Sequence, residues 1–108
     1  MTTAHPCILQ HRYRVDPLDR ARLVGLLDVV RAHAVDLGVA SFEVWQDDDD
    51  PWQWTEVQRY DSWNHLQRLT QKPLDQEMLD TYEALARLQV GGADAVETRM
   101  WTPVLSTQ

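Results

Sequence analysis

A histidine and a tyrosine stand at alternate positions of the mostly apolar stretch 7–15, where they could take part in acid–base chemistry. Alternate residues of a β-strand share one face, so His11 and Tyr13 should lie beside Leu9 and Val15. A neutral imidazole there can take a proton from an acidic phenol, because its pKa lies near neutrality. The same pattern is typical of a core histidine that bonds a backbone carbonyl. His11 is thus a catalytic candidate and Tyr13 a ligand-binding candidate, with the core role left open.

A second group of candidates follows a later predicted strand and consists of Tyr60, Trp63, Asn64 and His65. An indole can stack on a flat aromatic ligand, an amide can hold an oxygen atom, and an imidazole can move a proton. Tyr60, Asn64 and His65 are therefore further catalytic candidates, and Trp63 is a ligand-binding candidate. In the alternative interpretation, Trp63 anchors the start of a helix and its two neighbours lie in solvent.

Two more ligand-binding candidates lie on a helix edge and on a strand face. His33 follows Val30 at the edge of an apolar helical stripe, where it either reaches a cavity mouth or covers the margin of the core. Trp54 shares a strand face with Trp52 and Glu56. This row fits a pocket wall and a dimer seam equally well.

The histidines and acidic residues predict no metal site. The histidines at positions 5, 11, 33 and 65 have no paired helical spacing, and Cys7 is the only cysteine, so a zinc site is not expected. The acidic run 47–50 lacks the glycine and the terminal glutamate of an EF-hand loop. It is typical of a solvated hairpin tip.

Composition indicates one folded domain. The chain has 108 residues and 12.6 kDa, with a formal net charge of −7. The acidic balance disfavours nucleic acid as a partner, and no apolar run is long enough to cross a membrane. The start of the chain lacks the pattern of a signal peptide, and a lone cysteine excludes an intrachain disulfide, so we expect a cytoplasmic protein. Five tryptophans against one phenylalanine exceed what one small core needs.

The elements that must position the candidates follow the order β-α-β-β-α-β. Strands are predicted at 7–15, 39–46, 53–60 and 95–101, with a helix at 17–37 and a second helical segment at 62–88 that is interrupted at 71–73. This order predicts an α+β, ferredoxin-like plait, in which two helices pack on one face of an antiparallel sheet. The domain would span residues 7–102, with short tails at 1–6 and 103–108.

The other face of this sheet should carry exposed tryptophans. Trp45 and Trp101 have the opposite strand parity from Phe42, Val44 and Met100, which should face the helices. Large aromatic side chains on an uncovered sheet face usually mark an interface. We therefore predict a homodimer that pairs two sheets through Trp45 and Trp101.

Three stretches resemble the antibiotic biosynthesis monooxygenase (ABM) domains. Residues 12–17 (RYRVDP) resemble the opening of these domains, residues 38–51 their second strand and hairpin, and residues 54–63 their third strand and the start of the next helix. The ABM-like domain at the end of some bacterial major-facilitator transporters is the most similar subset, since an acid-Ser-Trp step also follows its third strand. The resemblance covers residues 8–101.

The resemblance implies a plait that dimerises into an α+β barrel with a pocket between helices and sheet. ABM-like proteins include cofactor-independent oxygenases of polyketide phenols, quinol oxygenases and haem-degrading enzymes. We therefore expect a monooxygenase-like protein that binds a small phenol- or quinone-type molecule and needs no cofactor. The alternative is a non-catalytic ligand-binding or interaction module of the same fold, with haem binding less favoured.

This sequence departs from the ABM pattern at several positions. A Glu-Arg-Trp-like step on strand three reads Gln58, Arg59 and Tyr60 here. The histidine that haem-degrading members carry on the following helix aligns with Leu69, and His65 lies one turn earlier. The Asn, Trp and Tyr of cofactor-independent oxygenases are represented nearby by residue type only.

Overall fold

Side chains that accept hydrogen bonds from free backbone N–H groups begin the helical segments. The Asp16 carboxylate accepts from the N–H of Leu18 at 2.9 Å and begins a 3-10 turn, Pro17–Asp19, that leads into the first helix. The Ser62 hydroxyl accepts from the N–H of His65 at 3.1 Å and begins the second helix. Both residues act as caps, because each satisfies an N–H that has no partner within the helix.

The computed structural model describes residues 5–105. The strands are β1 (Cys7–Arg14), β2 (Ser41–Gln46), β3 (Gln53–Tyr60) and β4 (Glu97–Trp101), and the helices are α1 (Arg20–Asp36), α2 (Trp63–Thr70) and α3 (Gln76–Leu88). The second helical segment is thus two separate helices, as the interruption at 71–73 indicates. Residues 95–96, predicted as strand, belong instead to a short 3-10 turn and its C-terminal cap. None of the helices within residues 5–105 is both long and apolar enough to cross a membrane.

The sheet is antiparallel throughout and has the strand order β2-β3-β1-β4. β1 therefore lies between β3 and β4, and the predicted ferredoxin-like α+β fold is confirmed. His11 of β1 pairs with Glu56 of β3 on one side and with Thr98 of β4 on the other. Because residues that pair directly across strands share a face, these three side chains form one row across the helix-facing side of the sheet.

Between this sheet face and the helices lies the main core. It consists of Tyr13, Val15, Leu23, Leu27, Val30, Trp54, Met78 and Leu85. A smaller apolar cluster of Cys7, Tyr60 and Leu66 lies near α2.

The opposite sheet face carries the two tryptophans that strand parity predicts. Trp45 is 54 % exposed and Trp101 is 49 % exposed. The indole N–H of Trp45 donates to Glu43, and that of Trp101 donates to Gln10, each at 3.0 Å. The polar atoms of both side chains are thus satisfied within the sheet, while the ring faces stay available for apolar contact.

Candidate functional site

A cavity of about 370 Å³ lies between the helix-facing side of the sheet and the helical layer; we call it the main cavity. Its wall is largely apolar and includes Leu9, Val30, Leu37, Val39, Leu69 and Leu74. Polar side chains reach it from β1, α1, β3, the end of α2 with the segment after it, and α3: His11, His33, Gln58, Tyr60, Thr70, Lys72 and Tyr82. A largely apolar wall with a few convergent polar groups is typical of small-molecule sites.

His11 occupies the β1 side of this cavity with a fixed ring. Its Nδ1 lies 3.0 Å from Oγ1 of Thr98 on the neighbouring strand, within hydrogen-bonding distance. Burial lowers the pKa of His11 below its ordinary value, because the charged imidazolium loses its hydration. The ring is therefore neutral at neutral pH and can accept a proton.

Tyr60 and Gln58 form a hydrogen-bonded pair on β3. The Tyr60 hydroxyl donates to Oε1 of Gln58 at 2.5 Å, which orients the Gln58 amide. Burial and the neighbouring Tyr82 raise the pKa of Tyr60 to about 12, so its hydroxyl stays protonated at neutral pH. With the amide oxygen engaged, the amide N–H groups of Gln58 can donate to a ligand oxygen.

A second cavity of about 310 Å³ adjoins the main one; we call it the side cavity. Both cavities are lined by His11, Gln58 and Tyr82, and the side cavity is also lined by Glu56. Glu56 is only 7 % exposed, and burial raises the pKa of its carboxyl. Burial first, and then the nearby Glu56 carboxyl, raise the pKa of Tyr13. The buried Tyr13 hydroxyl has no hydrogen-bond partner of good geometry within residues 5–105.

The raised pKa of Glu56 predicts a pH-dependent stability. The folded protein binds the Glu56 proton more tightly than the unfolded chain, in which the pKa of Glu56 is about 4.5. The free energy of unfolding therefore falls as pH rises from this value through the higher pKa of Glu56 in the folded state. We expect the free energy of unfolding of Glu56→Gln, relative to the unmutated protein, to increase from pH 4 to pH 8. Urea unfolding at both pH values measures this change, and a difference that is constant with pH contradicts the burial argument.

The predicted site residues divide between the main cavity and other places. His11, His33 and Tyr60 are brought together around it. His65 lies outside its lining but packs edge-on against Tyr60, with ring centroids 6.0 Å apart. Asn64 is exposed on α2 and lines none of the described cavities.

The other three ligand-binding candidates lie elsewhere. Tyr13 is part of the main core. Trp54 lines a groove of about 570 Å³ between α1 and β2, where the Arg20 guanidinium lies 6.0 Å from the centre of its ring. Trp63 is exposed and lines a third cavity of about 340 Å³ together with Trp101. The roles predicted for these residues stay predictions.

Glu56, Gln58 and Tyr82 are the cavity residues that were not singled out as site candidates in the sequence. The sequence did indicate Glu56 and Gln58, because these polar residues share one strand face with Trp54 and Tyr60. Tyr82 carried no such signal, because its position in α3 fits the apolar side of a helix. Leu69, the position that the ABM resemblance matches to the histidine of haem-degrading members, lines the main cavity, and its side chain offers no ligand for iron.

Comparison with known proteins identifies the fold. No protein-family model matches the sequence, and no curated protein matches it. A mutant of SnoaB, a cofactor-independent oxygenase from Streptomyces nogalater, is similar with a TM-score of 0.76 and 15 % identity, covering 96 % of this chain and 98 % of that one. A candidate antibiotic biosynthesis monooxygenase from Nitrosomonas europaea gives a TM-score of 0.75 at 12 % identity, covering 100 % of this chain and 99 % of the other.

A third similar structure is a candidate antibiotic biosynthesis monooxygenase from Chloroflexus aurantiacus, with a TM-score of 0.68 and 22 % identity, covering 95 % of this chain and 97 % of that one. Identities this low show a shared fold and leave the chemistry to be argued from the site. The chain therefore has the fold of ABM-like proteins over nearly its whole length.

Proposed function

We propose that the protein oxidises a small phenol- or quinol-type aromatic molecule with dioxygen in the main cavity, with His11 as the base. The observation that carries this proposal is a neutral, oriented imidazole in a largely apolar cavity, beside the Gln58–Tyr60 pair. An imidazole of this kind can deprotonate an acidic phenol, and the Gln58 amide can donate to the oxyanion that forms.

The reaction balances with dioxygen as the only co-reactant. His11 removes a proton from the substrate, and the resulting anion transfers one electron to dioxygen. The radical pair combines into a peroxide bound to the substrate carbon. Loss of the proton on that same carbon and cleavage of the O–O bond leave a carbonyl there, and the other oxygen takes up the two protons removed and leaves as water.

Oxygen uptake by the purified protein tests this function. Anthrone- and quinol-type phenols are added at neutral pH, and oxygen consumption is compared with that of the substrate alone. We expect consumption above the background together with formation of the corresponding quinone. Background oxygen uptake with every phenol, at protein concentrations that bind the substrate, refutes the proposed function.

A second candidate function is ligand binding without turnover. It is supported by the resemblance to transporter-associated ABM domains and by the position of Asn64 and Trp63 outside the main cavity. In this case an anthraquinone quenches tryptophan fluorescence with a saturable curve, and no phenol is consumed. Titration with haemin in the same series tests haem binding through the Soret band.

We also propose that the protein acts as a homodimer paired through the sheet face that carries Trp45 and Trp101. The two indoles are half-exposed with satisfied N–H groups and lie on the two edge strands of this face, where a second copy can cover both. We expect light scattering to give about twice 12.6 kDa at micromolar concentration. The double variant Trp45→Arg/Trp101→Arg should give a monomer, because pairing would remove the hydration of two charged guanidinium groups and the apolar contacts of both indoles.

Leu18→Arg is the matched control for the dimer prediction, since Leu18 is 92 % exposed and lies outside the sheet. This variant should keep the mass of the unmutated protein. A monomeric unmutated protein, or a dimer that survives both tryptophan replacements, contradicts pairing through this face.

A further inference from the structure

We propose that Glu56 is a second proton-transfer residue of this site, giving a proton to the substrate-bound peroxide and taking one back when the carbonyl forms. This inference rests on the proposed function and adds a residue to it. It assigns a role to the buried carboxyl that the reaction described above leaves unused.

The sheet register places Glu56 beside the proposed base. His11 and Glu56 pair directly across β1 and β3 and share the helix-facing side of the sheet. Residues paired in this way have Cβ atoms about 4.5 to 5.5 Å apart. Glu56 lines the side cavity, which has His11, Gln58 and Tyr82 in common with the main cavity. A ligand that lies across His11 can therefore reach both the imidazole and the carboxyl.

The surroundings of Glu56 offer no cation to hold it as a carboxylate. The lining of the side cavity contains neither lysine nor arginine. The ion pairs among residues 5–105 are Arg14–Asp50, Arg31–Asp28 and Arg87–Glu83, all at exposed positions. The titratable groups that face Glu56 are His11 and Tyr13 of β1 and Tyr82 of α3, which are neutral at neutral pH.

Burial lowers the pKa of His11 and raises that of Glu56, where the neighbouring Tyr13 hydroxyl offsets part of the rise. Both shifts favour the uncharged form, which is an imidazole that can accept a proton and a carboxyl that can donate one. A site with one group of each kind can accept a proton and donate another in the same cycle without waiting for water.

The proposed proton transfers form a complete catalytic cycle. His11 takes the first substrate proton, and Glu56 protonates the terminal oxygen of the peroxide after dioxygen has added. The Glu56 carboxylate then removes the second substrate proton, from the carbon that carries the peroxide, as the carbonyl forms and the O–O bond breaks. The departing hydroxide takes the proton from the His11 imidazolium and leaves as water. Both residues return to their starting states, and the substrate has lost two hydrogens and gained one oxygen.

Steady-state oxygen uptake between pH 5 and pH 9 tests this assignment in the full chain. We expect a bell-shaped dependence of kcat/KM, with an acidic limb from His11 and an alkaline limb from Glu56. Glu56→Gln should lower kcat/KM about 100-fold at neutral pH and remove the alkaline limb. Glu77→Gln is the matched control, because it makes the same chemical change at an exposed residue of α3 that lines neither the main cavity nor the side cavity, and it should keep both limbs.

An infrared difference spectrum between the unmutated protein and Glu56→Gln gives an independent readout. At neutral pH it should contain the carbonyl stretch of a protonated carboxyl group. A folded Glu56→Gln variant that keeps the unmutated rate and both limbs overturns the Glu56 assignment alone, as does a carboxylate band in place of the acid band. Absence of oxygen uptake by the unmutated protein overturns the proposed function and the Glu56 step together.

Discussion

Replacing His11 by glutamine is expected to lower kcat/KM for oxygen-dependent phenol oxidation by about 100- to 10,000-fold, the range that a general base contributes. Glutamine has a similar reach and can still bond Thr98, so the β1–β4 contact is preserved while the proton acceptor is lost. Oxygen uptake at neutral pH measures the rate. Binding of an anthraquinone, followed by tryptophan fluorescence, measures the affinity separately.

His5→Gln is the control for this prediction, since His5 is exposed and lines neither the main cavity nor the side cavity. It should turn over like the unmutated protein. If His11→Gln binds the anthraquinone normally but loses its rate, the imidazole acts in the chemistry. A His11→Gln variant with an unchanged rate assigns the base to another residue, and His33 is then the remaining histidine of the main cavity.

Replacing Leu23 by alanine is expected to lower the free energy of unfolding by about 3 to 5 kcal/mol. The Leu23 side chain of α1 is fully buried in the main core, so its removal leaves a cavity that rigid neighbours cannot fill. For a domain of this size, 3 kcal/mol corresponds to a fall in Tm of roughly 12 to 24 °C. Thermal and urea unfolding followed by circular dichroism measure both quantities.

Leu18→Ala makes the same chemical change at a position outside the core. Leu18 lies in the turn before α1 and is 92 % exposed, so its replacement should change the stability by less than about 0.5 kcal/mol. Equal destabilisation by the two variants would mean that α1 does not pack on the sheet through Leu23.

The order of elements and their ends could be predicted from the sequence because local interactions determine them. Asp16 and Ser62 cap the helical segments that follow them, and Gly38 adopts a φ of +79° two residues after α1 ends. Such signals act over one turn of chain and need no knowledge of distant residues. The short turn Ala93–Ala95 was less predictable, since residues 95–96 also suit a strand.

The face on which each strand residue lies was predictable for the same reason. Alternation along a strand places Trp45 and Trp101 on one side and His11, Glu56 and Tyr60 on the other, whatever the rest of the fold does. What alternation cannot specify is which part of a face the helices cover. Trp54 and Tyr60 share a face, yet one lines the α1 groove and the other the main cavity.

The order of the elements, the helix caps and the two sides of the sheet follow from interactions between near neighbours in the chain, so they could be predicted before the fold was known. Which side chains meet depends on contacts between distant parts of the chain. The strand order brings Glu56 beside His11, 45 positions away, and the packing of α3 adds Tyr82 above them. It also leaves Asn64 in solvent, although Tyr60 lies four residues before it. Cavities form where helices and sheet fail to fill the space between them, and this depends on the whole fold.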